Sequence, residues 1–114
     1  MSELKVIARF AIHGGKLEEF KAVAAGCMES VREKDSGTEQ YDWFFNEDRS
    51  KCVVLETYAS SDAILKHITN LGDLMGQLLG AADMELDIFG EPSAELVEAA
   101  AGLAPKIYSP FQTI

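Results

Sequence analysis

VIARFAIHGGKLEEFKAVAAGCMESV, residues Val6 to Val31, changes its period halfway along. VIARFAI (Val6–Ile12) is short, apolar and rich in β-branched residues, and it stops at His13-Gly14-Gly15. It reads as a strand ending in a turn, with His13 exposed. From Lys16 onward Leu17, Phe20, Ala24, Cys27, Met28 and Val31 recur at three- and four-residue steps, with Glu18, Lys21, Glu29 and Arg32 between them. That spacing predicts an amphipathic helix of about four turns. Asp35-Ser36-Gly37 ends it, with a left-handed stop expected at the glycine.

Outward from this unit, QYDWFFN (Gln40–Asn46) and CVVLETY (Cys52–Tyr58) flank a polar loop and predict a β-hairpin. Ser60-Ser61-Asp62 supplies N-cap residues for a second helix, whose stripe is Ile64, His67, Ile68, Leu71, Leu74, Met75 and Leu78, with breaks expected at Gly72 and Gly76. MELDIF (Met84–Phe89) alternates strictly and is the fourth strand. The order is strand, helix, strand, strand, helix, strand. The fold class is α+β, a ferredoxin-like βαββαβ domain over residues 1–90 with two helices on one face of a four-stranded antiparallel sheet. Residues 91–114 follow as a helix from Pro92-Ser93 through Ala94–Ala101, a stop at Gly102, and an extended tail, KIYSPF (Lys106–Phe111). The tail has no partner in a four-stranded plan and is expected to pack on a neighbouring subunit.

With 114 residues, 47% of them hydrophobic and 25% charged, the chain has room for one globular domain. A net charge of −9 disfavours nucleic acid and anionic membranes as partners. Six acids and one base lie between Gly80 and Ile114, most simply a solvated face. Cys27 and Cys52 lie on apolar segments outside any CxxC pair, the N-terminal residues lack a signal-peptide pattern, and no apolar run approaches a membrane span. A soluble cytoplasmic protein is expected. Apolar residues occupy both faces of the first strand (Val6, Ala8 and Phe10 against Ile7 and Ala11) and of the third (Cys52 and Val54 against Val53 and Leu55). Helices cover only one face, so the other predicts a homodimer.

VIARFAI with its Gly-Lys turn, DSGTEQYDWFF, VVLETY and SSDAILKHI together resemble the antibiotic biosynthesis monooxygenase superfamily, and within it the small quinol monooxygenase-like proteins. The likeness spans roughly Val6 to Phe89, with Gly37, Glu56 and His67 at the family's glycine, acid and histidine positions. It implies a ferredoxin-like fold paired into a dimeric α/β barrel. Haem-degrading members carry an asparagine where Ala8 stands and a histidine where Gln77 stands, so the likeness does not extend to haem degradation.

No nucleotide-binding glycine loop and no spaced set of metal ligands occurs, so neither cofactor nor metal is expected. A deprotonated hydroquinone or anthrone-type phenol can itself give an electron to O2, leaving the protein to supply a base, a dry pocket and hydrogen bonds. His67, on the apolar stripe, is the candidate catalytic base; a core histidine satisfied by one hydrogen bond is the plainer reading. Glu56 and Tyr58 share one face of a strand. The glutamate is either structurally paired, with Arg9 or a residue of the other subunit, or part of the substrate site. Tyr41, Trp43 and Phe45 share a face as core or as substrate wall, with the Trp43 N–H able to orient a quinone oxygen. Trp43, Glu56, Tyr58, Phe10 and Leu71 form the expected substrate-binding set. Three functions are compatible with these residues: a cofactor-independent monooxygenase oxidising a quinol or polycyclic phenol-type small aromatic substrate with O2, a non-catalytic small-molecule-binding or stress-response module, and an isomerase or decarboxylase using the same base without oxygen.

Overall fold

Alternation and helical period place the elements of the computed structural model, which describes residues 3–114; Met1 and Ser2, the start of the expected domain, lie outside the described residues. The order is β1 (Leu4–Ile12), α1 (Leu17–Lys34), β2 (Thr38–Phe45), β3 (Lys51–Tyr58), α2 (Ser61–Leu71), α3 (Asp73–Ala81), β4 (Ala82–Phe89), α4 (Ala94–Ala99), a 3-10 turn (Ala101–Leu103) and β5 (Lys106–Tyr108). The sheet runs β2-β3-β1-β4-β5, antiparallel except for the parallel β4–β5 pair. This is the ferredoxin-like α+β plan with one strand added. Among the described residues no helix is long and apolar enough to cross a membrane.

One side of every central strand enters the core. Leu4, Val6, Ala8 and Phe10 of β1, Cys52 and Val54 of β3, and Ile88 of β4 are buried beneath the helices. Two apolar clusters result. One gathers Phe10, Phe20, Cys27, Tyr41, Leu71 and Leu78; the other gathers Leu4, Val6, Tyr58, Ile64, Ile88 and Leu96. Ser60 caps α2 by accepting from the Ala63 amide at 3.2 Å, and Ser93 caps α4 by accepting from Leu96 at 3.1 Å. Among the described residues no helix lies over the opposite face of the sheet. That face carries half-buried Ile7, Val53 and Leu55 and exposed Phe44, with Arg9 paired to Asp87.

Three local expectations change. Gly37 is not in the left-handed region; α1 ends at an extended Asp35, and glycine is needed because a Cβ at position 37 would lie 2.5 Å from the Ala63 Cβ. Gly76 sits inside α3, so only Gly72 breaks the second helix. The last helix is shorter than expected, passing into a 3-10 turn that includes Gly102 and ends at left-handed Ala104. The tail, for which a four-stranded plan left no strand partner, has one in its own chain, since β5 hydrogen-bonds along β4 and Tyr108 stacks on Phe89. Phe111 and Ile114 beyond it are exposed.

Gly37→Ala is expected to destabilise the fold by about 1–3 kcal/mol through overpacking against Ala63. Adding Ala63→Gly should restore part of that loss. Urea midpoints of the two variants and the parent check both signs.

Candidate functional site

A turn between α1 and β2 meets the sheet-facing side of α2 at Asp35. His67 Nδ1 lies 2.8 Å from Asp35 Oδ2, Thr38 Oγ1 donates to the same oxygen at 2.6 Å, and Asn70 Nδ2 donates to Oδ1 at 2.9 Å. His67 and Asn70 are three residues apart on one helix, so both reach the turn together. The side chains of Asp35 and His67 are only 3% and 7% exposed. Burial works to raise the Asp35 pKa, but the hydrogen bonds from Thr38, Asn70 and His67 together hold it below the usual carboxylate range. The carboxylate is therefore ionised and accepts a hydrogen bond from His67 Nδ1–H, which leaves Nε2 as the basic nitrogen. Burial pulls the His67 pKa below 6.5 against the raising pull of Asp35.

His67 lines a narrow cavity of about 60 Å³ between the helices and the sheet. Every residue of the expected site lines it too: Phe10, Trp43, Glu56, Tyr58 and Leu71. They converge because the strand residues among them share the helix-facing parity and Leu71 lies one turn from His67. Trp43 stacks parallel to Phe10 with centroids 6.1 Å apart, and its Nε1–H is buried with no acceptor among the described residues. Such an orphaned donor costs roughly 1–3 kcal/mol. The Tyr41 and Tyr58 rings flank the imidazole at 5.1 and 5.3 Å.

Glu56 is not paired with Arg9. Arg9 lies on the opposite face of the sheet with Asp87, because residues 9 and 56 have opposite facing in the β1–β3 register, where Val6 stands opposite Glu56. Tyr58 instead donates its hydroxyl hydrogen to Glu56 Oε1. Burial pushes the Glu56 carboxyl up to about 7, although the Tyr58 hydrogen bond acts to lower it. A base and an acid thus face one apolar space. Burial also raises the Cys27 thiol to about 11, so it is no nucleophile near neutral pH. His13 is remote from the cavity, paired with Asp83 at 2.9 Å.

A water-filled site needs roughly 10–15 Å³ per molecule, and a cavity of about 150 Å³ holds benzene. At about 60 Å³ the space takes a few waters, and a ring requires it to widen. Its wall is the sheet, α2 and, through Met75 and Leu78, α3, whereas Leu96 of short α4, Leu103 of the 3-10 turn and Ala100 between them close it.

The family model described as "Antibiotic biosynthesis monooxygenase" matches residues 4–70. No curated protein matches the chain. Among solved structures, MupZ from Pseudomonas fluorescens is similar at 22% identity with a TM-score of 0.87, covering 100% of this chain and 94% of its own. SnoaB from Streptomyces nogalater, described as a cofactor-independent oxygenase, is 18% identical with a TM-score of 0.69, covering 82% and 97%. Rv0793 from Mycobacterium tuberculosis is 20% identical with a TM-score of 0.71, covering 81% and 97%. At these identities the structural likeness speaks to fold.

The raised Glu56 pKa sets a stability slope. Between pH 4.5 and about 7 the folded chain keeps a proton that the unfolded chain has lost, so stability falls as pH rises through that window. His67 contributes the reverse below pH 6.5, where the unfolded chain protonates first. Glu56→Gln removes only the first effect. It should stabilise the protein by roughly 3 kcal/mol at pH 8, at about 1.4 kcal/mol per pKa unit, and by much less at pH 5. Urea denaturation at the two pH values measures the difference; equal gains at both would contradict the assignment.

Proposed function

The chain belongs to the antibiotic biosynthesis monooxygenase family, and on that premise we propose that it is a monooxygenase without a prosthetic group, oxidising a quinol or polycyclic phenol with O2. The observation that carries this reading is the Asp35–His67 pair at an apolar cavity. Asp35 fixes the tautomer and stabilises the imidazolium, so Nε2 is ready to take the acidic proton of the substrate. The resulting anion is electron-rich and passes an electron to O2 directly, the role a cofactor normally fills. Trp43 Nε1–H, without an acceptor among the described residues, suits a substrate oxygen. The apolar lining keeps water from the anion once α4 and the 3-10 turn have admitted the ring.

Association into a homodimer belongs to the same proposal. Ile7, Val53, Leu55 and Phe44 make the helix-free face of the sheet apolar, and an identical face would cover it. A second catalytic reading, proton transfer without oxygen, is favoured by one observation: Glu56 offers an acid opposite the base.

Oxygen uptake by metal-free protein with a panel of hydroquinones and anthrones is expected to exceed autoxidation, and His67→Ala should lower the catalysed rate about a hundredfold or more. Turnover of the same panel under anaerobic conditions would favour the oxygen-free reading. Binding without any rate in either atmosphere would leave a binding module. Leu55→Lys should shift the sedimentation mass from dimer to monomer; a monomeric parent would refute the association.

A further inference from the structure

Glu56 is the one carboxyl group that lines the cavity among the described residues, and base catalysis by His67 leaves it unused. It lies on β3 with Val6 of β1 and Tyr41 of β2 as its strand partners, and its side chain enters the cavity beneath the helices. The titratable groups around it are Tyr58 on its own strand, Tyr41 on β2, Cys27 on α1 and His67 on α2. None of the four is a lysine or arginine, and among the described residues Glu56 forms no ion pair. A carboxylate buried without a counter-charge is costly, so the neutral acid is the favoured form. Tyr58 occupies Oε1 by donating to it, while Oε2 has no hydrogen-bond partner among the described residues. With Oε1 accepting from Tyr58, the carboxyl proton belongs on Oε2, without an acceptor among the described residues, and the side chain lines the cavity.

We propose, resting on the monooxygenase reading above, that Glu56 is a second catalytic residue of this cavity, the acid that protonates the peroxide formed from substrate and O2. The protons and electrons balance for an activated CH2 flanked by aromatic rings. His67 removes one C–H proton; the carbanion transfers an electron to O2, and the radical pair combines with formation of a C–O bond. Glu56 gives its proton to the terminal oxygen of the peroxide anion. The Glu56 carboxylate then takes the second C–H proton as the O–O bond breaks, forming the carbonyl and expelling hydroxide. Hydroxide accepts the proton held by His67 and leaves as water. One CH2 and one O2 become one C=O and one H2O, and both residues return to their starting states. Tyr58, bonded to Oε1, aims the carboxyl without changing this balance.

Anthrone is the probe. Deuterium exchange at its CH2 in D2O without oxygen, followed by NMR, reports the base step alone. Under O2, anthraquinone formation and released peroxide, the latter by ferric–xylenol orange, report the oxygen-dependent steps. In the parent protein, exchange and quinone formation both exceed background with little peroxide. In Glu56→Gln, quinone formed per exchange event should fall about a hundredfold, with peroxide released in its place. Tyr58→Phe, which leaves the carboxyl present, should release less peroxide than Glu56→Gln. Quinone yield per exchange event equal to the parent's in Glu56→Gln would overturn the role of Glu56 and leave His67 as base. Absence of both exchange and quinone formation in the parent would instead overturn the monooxygenase reading, and this role with it.

Discussion

A buried carboxylate at Asp35 has to be satisfied, and much of the structure depends on how this is done. Removing an ionised carboxyl from water is costly unless charge-assisted hydrogen bonds replace the lost solvation. Three donors do so, and they come from different places: Thr38 at the head of β2, and His67 and Asn70 on α2. The α1–β2 turn and α2 are therefore docked by a polar contact at the edge of an apolar core. Gly37, two residues on, lets the chain approach Ala63 closely enough for that docking. The contact that positions α2 also sets the tautomer of His67, so the folding of this corner and the preparation of the site are one event.

Two carboxyl groups near the same cavity meet opposite fates. Asp35 gathers donors and stays charged, whereas Glu56 has a single tyrosine and is driven towards its neutral form by burial. The chemical type is the same and the surroundings differ. Beyond Glu56 and His67 the rest of the lining is aliphatic and aromatic, with the Trp43 indole and the Tyr41 and Tyr58 hydroxyls as its polar groups. The result is a small apolar space with a basic end and an acidic end, obtained from a helix-facing pattern of strand residues and one helical histidine.

Periodicity made most of this fold legible. β1, α1, the hairpin and β4 each show a clean two- or 3.6-residue period, and facing parity alone places Phe10, Trp43, Glu56 and Tyr58 on the helical side. Parity also argues against Arg9 as the partner of Glu56, since Arg9 shares a face with Ile7. Asp35 escaped notice as a site residue because its partners His67 and Asn70 are 32 and 35 residues away and because Asp-Ser-Gly reads as an ordinary helix end. Gly37 was conspicuous for the wrong reason: a sequence marks a glycine but does not distinguish a left-handed turn from a close approach. β5 was hidden for a similar reason, since a parallel pairing of three residues across a long connection has no local signature.

Beyond β4 the chain leaves the sheet at Gly90, whose φ of 128° suits only glycine, and returns to it at once in space, the Gly90 amide donating to the Tyr108 carbonyl at 2.9 Å. Everything between, α4 and the 3-10 turn included, is a loop whose two ends are tied together. Tying the ends together lowers the entropy lost in holding this loop over the cavity, where Leu96 is buried in the core cluster of Leu4, Val6 and Tyr58.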